Sequence, residues 1–150
     1  MVDAVVVYST RSGSTGRMAK AVAEGLVEGG LDVKVYDLRR SIFEDFKEEL
    51  EKAKAVVVGT PTHDYMPAYE VNVLLSKMEE LNVKGKIGAV FGSYGWSGEA
   101  VYEVQRRMRS LGFNVVTDPL RIIEDPDEDG LRRCRELGLA IAGKVKGEAS

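Results

Sequence analysis

The sequence predicts an open, doubly wound α/β sheet with helices on both faces, and three observations carry that prediction. Short apolar runs alternate with amphipathic ones from end to end, the pattern of a βαβ chain. The runs Ala4–Tyr8, Ala55–Val58 and Ile87–Gly92 lack polar alternation, as strands buried on both faces of a parallel sheet do. Five strands in all are too few to close a barrel of eight βα units, which leaves an open sheet. With 150 residues, 44% of them apolar, and no linker, repeat or low-complexity tract, residues 1–150 read as one domain.

Each element follows in order. After the first strand, Met18, Ala21, Val22, Gly25 and Leu26 fall on one helical stripe that stops at Gly29–Gly30. Val33–Leu38 alternates apolar with polar residues and reads as an edge strand. Phe43, Phe46 and Leu50 mark a short helix before the central run at 55–58, and Val71, Leu74, Leu75 and Met78 mark the next. The run at 87–92 precedes a helix carried by Val101, Val104, Met108 and Leu111, which ends at Gly112. The stretch around Phe113–Val116 is polar-interrupted and followed by Pro119, so it reads as the other edge strand. Leu131, Cys134, Gly138, Ile141 and Val145 form the last helical stripe. Three central and two edge strands fit the order 2-1-3-4-5. Cys134 on that last stripe reads as a small buried hydrophobe in preference to a redox thiol.

Composition excludes several classes of function. Lys plus Arg number 21 against 24 Asp plus Glu, a net charge of −3 with no basic block, so there is no phosphate-contacting face for nucleic acid. A single histidine and a single cysteine furnish no zinc cluster and no internal disulfide. No long uncharged apolar run predicts a membrane span, and Met1-Val2-Asp3 enters the first strand without a basic leader. The expectation is a cytoplasmic chain with no membrane partner.

Ligands of such sheets sit beyond the carboxyl ends of the strands, so the loops after Tyr8, Gly59 and Gly92 are the candidate site. In the first loop, Thr10, Arg11, Ser12, Gly13, Ser14 and Thr15 bring hydroxyls and a flexible glycine to a helix N-terminus, which suits an anionic phosphate. An ordinary Ser/Thr-rich turn with one N-cap residue is the competing reading. No lysine precedes Lys20 to complete a nucleoside-triphosphate loop, and the G-x-G-x-x-G spacing is missing, so a mononucleotide is favoured over a dinucleotide. The second loop, Thr60, Pro61, Thr62, His63, Asp64 and onward to Pro67, is stiffened by its two prolines. Lacking acidic residues after the first strand and an Asp after the third, the chain does not suit a phosphoacceptor domain. His63 is an acid–base candidate or a solvent-facing loop residue, and no partner nucleophile accompanies it. The third loop, Ser93, Tyr94, Gly95, Trp96, Ser97 and Gly98, places two aromatics around a glycine, either as walls for a flat ring or as a lid over the core.

Thr10–Thr15, Thr60–Thr62 and Ser93–Gly98, in this order on this frame, resemble the flavodoxin family, most of all the flavodoxin domain of flavodiiron proteins (A-type flavoproteins). The resemblance spans essentially the whole chain, and Gly92–Gly98 is its most specific stretch. It implies the flavodoxin-like fold and non-covalent FMN. Thr10, Ser12, Ser14 and Thr15 would hold the phosphate around Gly13, with Arg11 adding a charge beside it. Thr60, Pro61 and Thr62 would line the ribityl chain and ring edge, with His63, Asp64 or Tyr65 at that edge and Met66 as a soft apolar wall. Tyr94, Gly95 and Trp96 would bracket the isoalloxazine, and Ser93, Ser97 and Gly98 complete that loop. Ser12 replaces the Tyr, and Asp64 the Asn, usual in flavodiiron-type loops, and the second loop lacks the glycine that presents a flipped peptide to flavin N5 in many flavodoxins. No diiron module is expected, since one histidine cannot supply its ligands.

The function so implied is a flavoprotein of electron transport that shuttles low-potential electrons between redox proteins, such as a ferredoxin-like donor or reductase and an unidentified acceptor. Low-dielectric aromatic walls and an acidic surface disfavour the anionic reduced ring and should lower its potential. The alternatives are an FMN-dependent NAD(P)H or quinone oxidoreductase and a binding module that kept the fold without the cofactor. The resemblance also allows a homodimer covering the flavin face.

Overall fold

The computed structural model describes residues 1–63 and 65–149. Its main sheet contains β1 (Ala4–Tyr8), β2 (Val33–Asp37), β3 (Ala55–Gly59), β6 (Ile87–Tyr94), β7 (Asn114–Val115) and β8 (Leu120–Ile123). Among the described residues the order is β2-β1-β3-β6-β7, with β8 also paired to β6, and every one of these pairings is parallel. This is the expected 2-1-3-4-5 sheet, with its fifth strand in two pieces. β7 pairs with the start of β6 at Ile87–Gly88 and β8 with its end at Phe91–Tyr94. Pro119, which has no N–H for a ladder, lies in the gap. The sequence reading placed the edge strand only around Phe113–Val116, and Leu120–Ile123 behind the proline is an addition.

Alternation along each strand sends side chains to two cores. Ala4, Val6, Val57 and Phe91 pack with α1 (Ser14–Glu28) and α5 (Glu128–Ala149) on one face. Val5, Val7, Val56, Val58 and Val90 pack with α2 (Phe43–Lys52), α3 (Tyr69–Lys77) and α4 (Ala100–Ser110) on the other. The three central strands are buried throughout, apart from half-buried Tyr8 and Tyr94 at their carboxyl ends, whereas β2 keeps Lys34 and Val35 exposed at its edge. That contrast is what the difference between unbroken and alternating apolar runs encodes.

Two further features shape the carboxyl edge. Thr62–His63 (β4) and Met66–Pro67 (β5) form an antiparallel hairpin where the sequence suggested only a stiff loop, with Tyr65 near its tip at φ 69°. The strands β1, β3 and β6 are in register at Tyr8, Gly59 and Phe91, but β6 continues to Tyr94 because β8 gives it a partner there. Ser93 and Tyr94 are therefore strand residues, which fixes their backbones more firmly than a loop would.

α1 and α5 meet backbone to backbone. A Cβ on Gly25 would lie 2.1 Å from the Arg135 carbonyl oxygen, and one on Gly138 2.2 Å from that of Val22. Cys134 is fully buried in this seam, where burial pushes its thiol up to about 11 and leaves it neutral and inert at physiological pH.

Candidate functional site

The loops after β1, β3 and β6 converge on one crevice of about 380 Å³, within the usual range of small-molecule sites. Arg11, Ser12 and Ser14 line it from the first loop, Pro61 and Thr62 from the second, and Ser93, Tyr94 and Gly95 from the third. A fourth segment, Glu124–Asp125 after β8, completes the wall. Sequence reasoning missed that segment because it ended the fifth strand before Pro119. The acidic run Glu124-Asp125-Pro126-Asp127 ahead of a helix was the available signal.

The first loop is built to leave a helix start open. Thr10 Oγ1 accepts the Gly13 N–H at 3.0 Å, and Gly13 turns the chain into α1 in the left-handed region, at φ 96°, where glycine carries no Cβ penalty. As the N-cap residue Gly13 brings no capping side chain to α1, and no acidic residue stands in its first turn, so among the described residues the amides at the α1 start remain open to an anion. Ser12 Oγ and Ser14 Oγ lie 3.2 Å apart at the crevice. Thr15 is buried with its hydroxyl 2.7 Å from Ser93 Oγ, so it ties the first loop to the third from beneath. Arg11 does not extend idly into solvent: it pairs with Glu70 at 3.3 Å.

Glu70, in the first turn of α3, also accepts from Ser9 Oγ at 3.0 Å. Burial works against its charge, but its own backbone N–H, the Ser9 hydroxyl, Arg11 and Arg39 together hold its carboxyl below the ordinary value of 4.5. The depressed folded-state value means that this stabilisation is present above about pH 4.5 and is lost as pH falls through the lowered value. Glu70→Gln is expected to cost about 1 kcal/mol at pH 7, and the gap to the parent should close in acid. Urea unfolding at pH 7 and at pH 3.5 checks both parts.

The second loop is pinned by Thr60, which is buried, accepts the Ala68 N–H at 3.0 Å and donates to the Pro61 carbonyl at 2.9 Å. Thr62 Oγ1 accepts the Ala100 N–H at 3.3 Å, tying the hairpin to the start of α4. His63 lies in β4, while its side chain and all of Asp64 fall outside the described residues.

The aromatics divide differently from the Tyr94–Trp96 pair expected. Trp96 is 85% exposed and lies 5.9 Å from the ring of Tyr65 on the hairpin, tilted by 54°. Tyr94 lines the crevice and rests against the Arg121 guanidinium at 5.5 Å. Open space surrounds Gly95, whereas Gly98 is buried against Arg121 and Tyr94, with Ser97 half-buried between the exposed Trp96 and that contact. The exposed indole thus packs against the phenol of a second loop, and neither ring is among the residues lining the crevice.

This donor set fits the phosphate of FMN. It offers two hydroxyls, uncapped helix amides, a glycine that lets the backbone approach and the Arg17 guanidinium beside that glycine. A second cavity, an apolar groove of about 220 Å³ by Ile42, Phe46 and Tyr69, has no such cluster of anion donors.

Comparison with known proteins agrees with this geometry. The flavodoxin family model matches residues 6–138. A flavodoxin from the domain Archaea superposes with a TM-score of 0.90 at 38% identity, covering 96% of this chain and 99% of that one. The rubredoxin oxygen:oxidoreductase of Desulfovibrio gigas superposes with a TM-score of 0.95 at 28% identity, over 99% of this chain but 37% of its own. The nitric oxide reductase of Moorella thermoacetica is 37% identical over 145 residues, which is 95% of this chain and 36% of that protein. A putative diflavin flavoprotein of Nostoc sp. is 30% identical over 97% of this chain and 25% of its own length. The chain thus spans between a quarter and just over a third of these curated relatives. A doubly wound 2-1-3-4-5 sheet, an open helix start among hydroxyls at its carboxyl edge and matches across nearly the whole length lead to one assignment: the chain belongs to the flavodoxin family, whose cofactor is FMN.

Proposed function

We propose that residues 1–150 act as one FMN-binding domain that carries electrons between redox proteins. The observation that carries this reading is the juxtaposition, at one sheet edge, of the uncapped α1 start with the exposed Trp96–Tyr65 pair. Thr10–Thr15 would hold the phosphate, with Ser12 and Ser14 donating directly and Thr15 bracing them through Ser93. Thr60–Thr62, with His63 and Asp64, would flank the ribityl chain and ring edge, and Ser93–Gly98 the ring. Bound FMN supplies reversible electron transfer, and the chain supplies position and electrostatics. Among the described residues no helix is long and apolar enough to cross a membrane.

The exposure of Trp96 and Tyr65 suits a small, transient encounter with a protein, of the kind redox partners make. Support for a protein partner also comes from the nitric oxide reductase of Moorella thermoacetica and the rubredoxin oxygen:oxidoreductase of Desulfovibrio gigas, whose chains extend well beyond the flavodoxin region. A ferredoxin-like donor or reductase on one side and a separate acceptor on the other complete the scheme. Glu124 and Asp125 at the crevice should disfavour added negative charge on the ring and lower the potential of the reduced couple.

Potentiometric titration of the FMN-loaded chain tests this. The reduced couple should lie below that of free FMN, and NAD(P)H with a quinone should give no substrate-saturable turnover. Saturable turnover would replace the carrier by an oxidoreductase.

A further inference from the structure

The Asp125 carboxylate reaches from the segment after β8 to the start of α1, a sequence separation of 111 residues, and accepts a hydrogen bond from Ser14 Oγ while pairing with the Arg17 guanidinium. Those two donors are the ones a phosphate at the first loop needs. Ser14 lines the crevice, and Arg17 Nη1 lies 3.1 Å from where a Cβ on Gly13 would stand. A serine hydroxyl has one proton to give, so Ser14 can donate to the carboxylate or to a phosphate oxygen, but not to both. Any dianion at the first loop also approaches two carboxylates, since Glu124 lines the same wall.

We propose that Asp125 is a built-in competitor of the cofactor's phosphate: it holds Ser14 and Arg17, must release them when FMN binds, and so sets FMN affinity without touching the flavin ring. This rests on the reading that the phosphate of FMN sits at Thr10–Thr15. The surrounding backbone is fixed, which confines the exchange to the Asp125 side chain. On one side the Glu124 N–H bonds the Tyr94 carbonyl at 2.6 Å, and on the other Asp127 Oδ1 accepts the Gly130 N–H at 2.7 Å at the start of α5. The Asp125 side chain is 71% exposed, so solvent is ready to receive it when it rotates away. Its carboxyl is held below the ordinary value chiefly by the Ser14 hydroxyl, with Arg17 adding to it, so the competitor is charged at neutral pH.

The test uses Asp125→Ala and Asp125→Asn in the full chain, titrated after cofactor removal with FMN and with riboflavin, and separately melted with and without inorganic phosphate. Competition predicts FMN binding tighter by about threefold to tenfold in Asp125→Ala, riboflavin unchanged within about twofold, and a larger phosphate-induced rise in Tm than the parent shows. Asp125→Asn should fall between, because the amide oxygen still accepts from Ser14. Weaker FMN binding in the variants would make Asp125 an organiser of the donors and overturn the proposal. Unchanged FMN affinity, or equal shifts for FMN and riboflavin, would overturn it as well. If the parent chain binds no FMN, the functional reading fails by itself, and the phosphate melting series alone then decides whether Asp125 competes for an anion.

Discussion

Gly138→Val is expected to remove about 3 kcal/mol or more of stability, or to prevent folding outright. The reason is backbone contact between α1 and α5 with no space for a side chain. A Cβ at 138 would lie 2.2 Å from the Val22 carbonyl oxygen and 2.7 Å from the Leu26 nitrogen, both main-chain atoms that no rotamer change can move. The helices would have to separate, opening the buried seam around Val22, Leu26, Cys134 and Ile141. Gly143 on the same helix supplies the control, because nothing lies within 4 Å of its Cβ position. Gly143→Ala should raise stability by about 0.5–1 kcal/mol through helix propensity alone. Urea denaturation of the two variants should move the midpoint in opposite directions, and similar shifts would argue against the tight seam.

The second large effect is expected at the phosphate loop. Gly13→Val places a β-branched residue at φ 96° and a Cβ 3.1 Å from Arg17 Nη1. The left-handed strain costs about 1–3 kcal/mol, and relieving it shifts the backbone that presents the α1 start to the crevice. FMN should bind about 10–100-fold more weakly, while riboflavin, which has no phosphate, changes by less than about threefold. Flavin fluorescence titrations read both. Equal losses for the two ligands would mean that the loop supports the ring instead of the phosphate.

The carboxyl-edge loops and the central strands were legible in the sequence because burial on both faces leaves an unbroken apolar run, as at Ala55–Val58. The second half of the fifth strand was not, since a proline at 119 reads as an end when it is only an interruption. That one misreading also hid Glu124 and Asp125, which reach the crevice only through the pairing of β8 with β6. Trp96 was visible as a lone tryptophan beside a tyrosine, but its contact with Tyr65 depends on the β4–β5 hairpin. A two-residue strand on each side of a turn is too short to show periodicity. Thr15 carried the right residue type for a phosphate donor, yet its hydroxyl faces Ser93, a pairing set by how far β6 extends past β3. Gly138 stood on the apolar stripe with no local sign that a backbone lay against it, because α1 and α5 are adjacent only in the folded chain.

The most direct measurement is the emission of Trp96, the chain's single tryptophan, during titration of the cofactor-free protein with FMN and then with riboflavin. FMN should quench it to an endpoint at one equivalent, and riboflavin should need at least about tenfold more ligand for the same change. Emission that stays constant at saturating FMN, or curves that coincide for the two flavins, would contradict a flavin held by its phosphate at the α1 start with its ring beside Trp96.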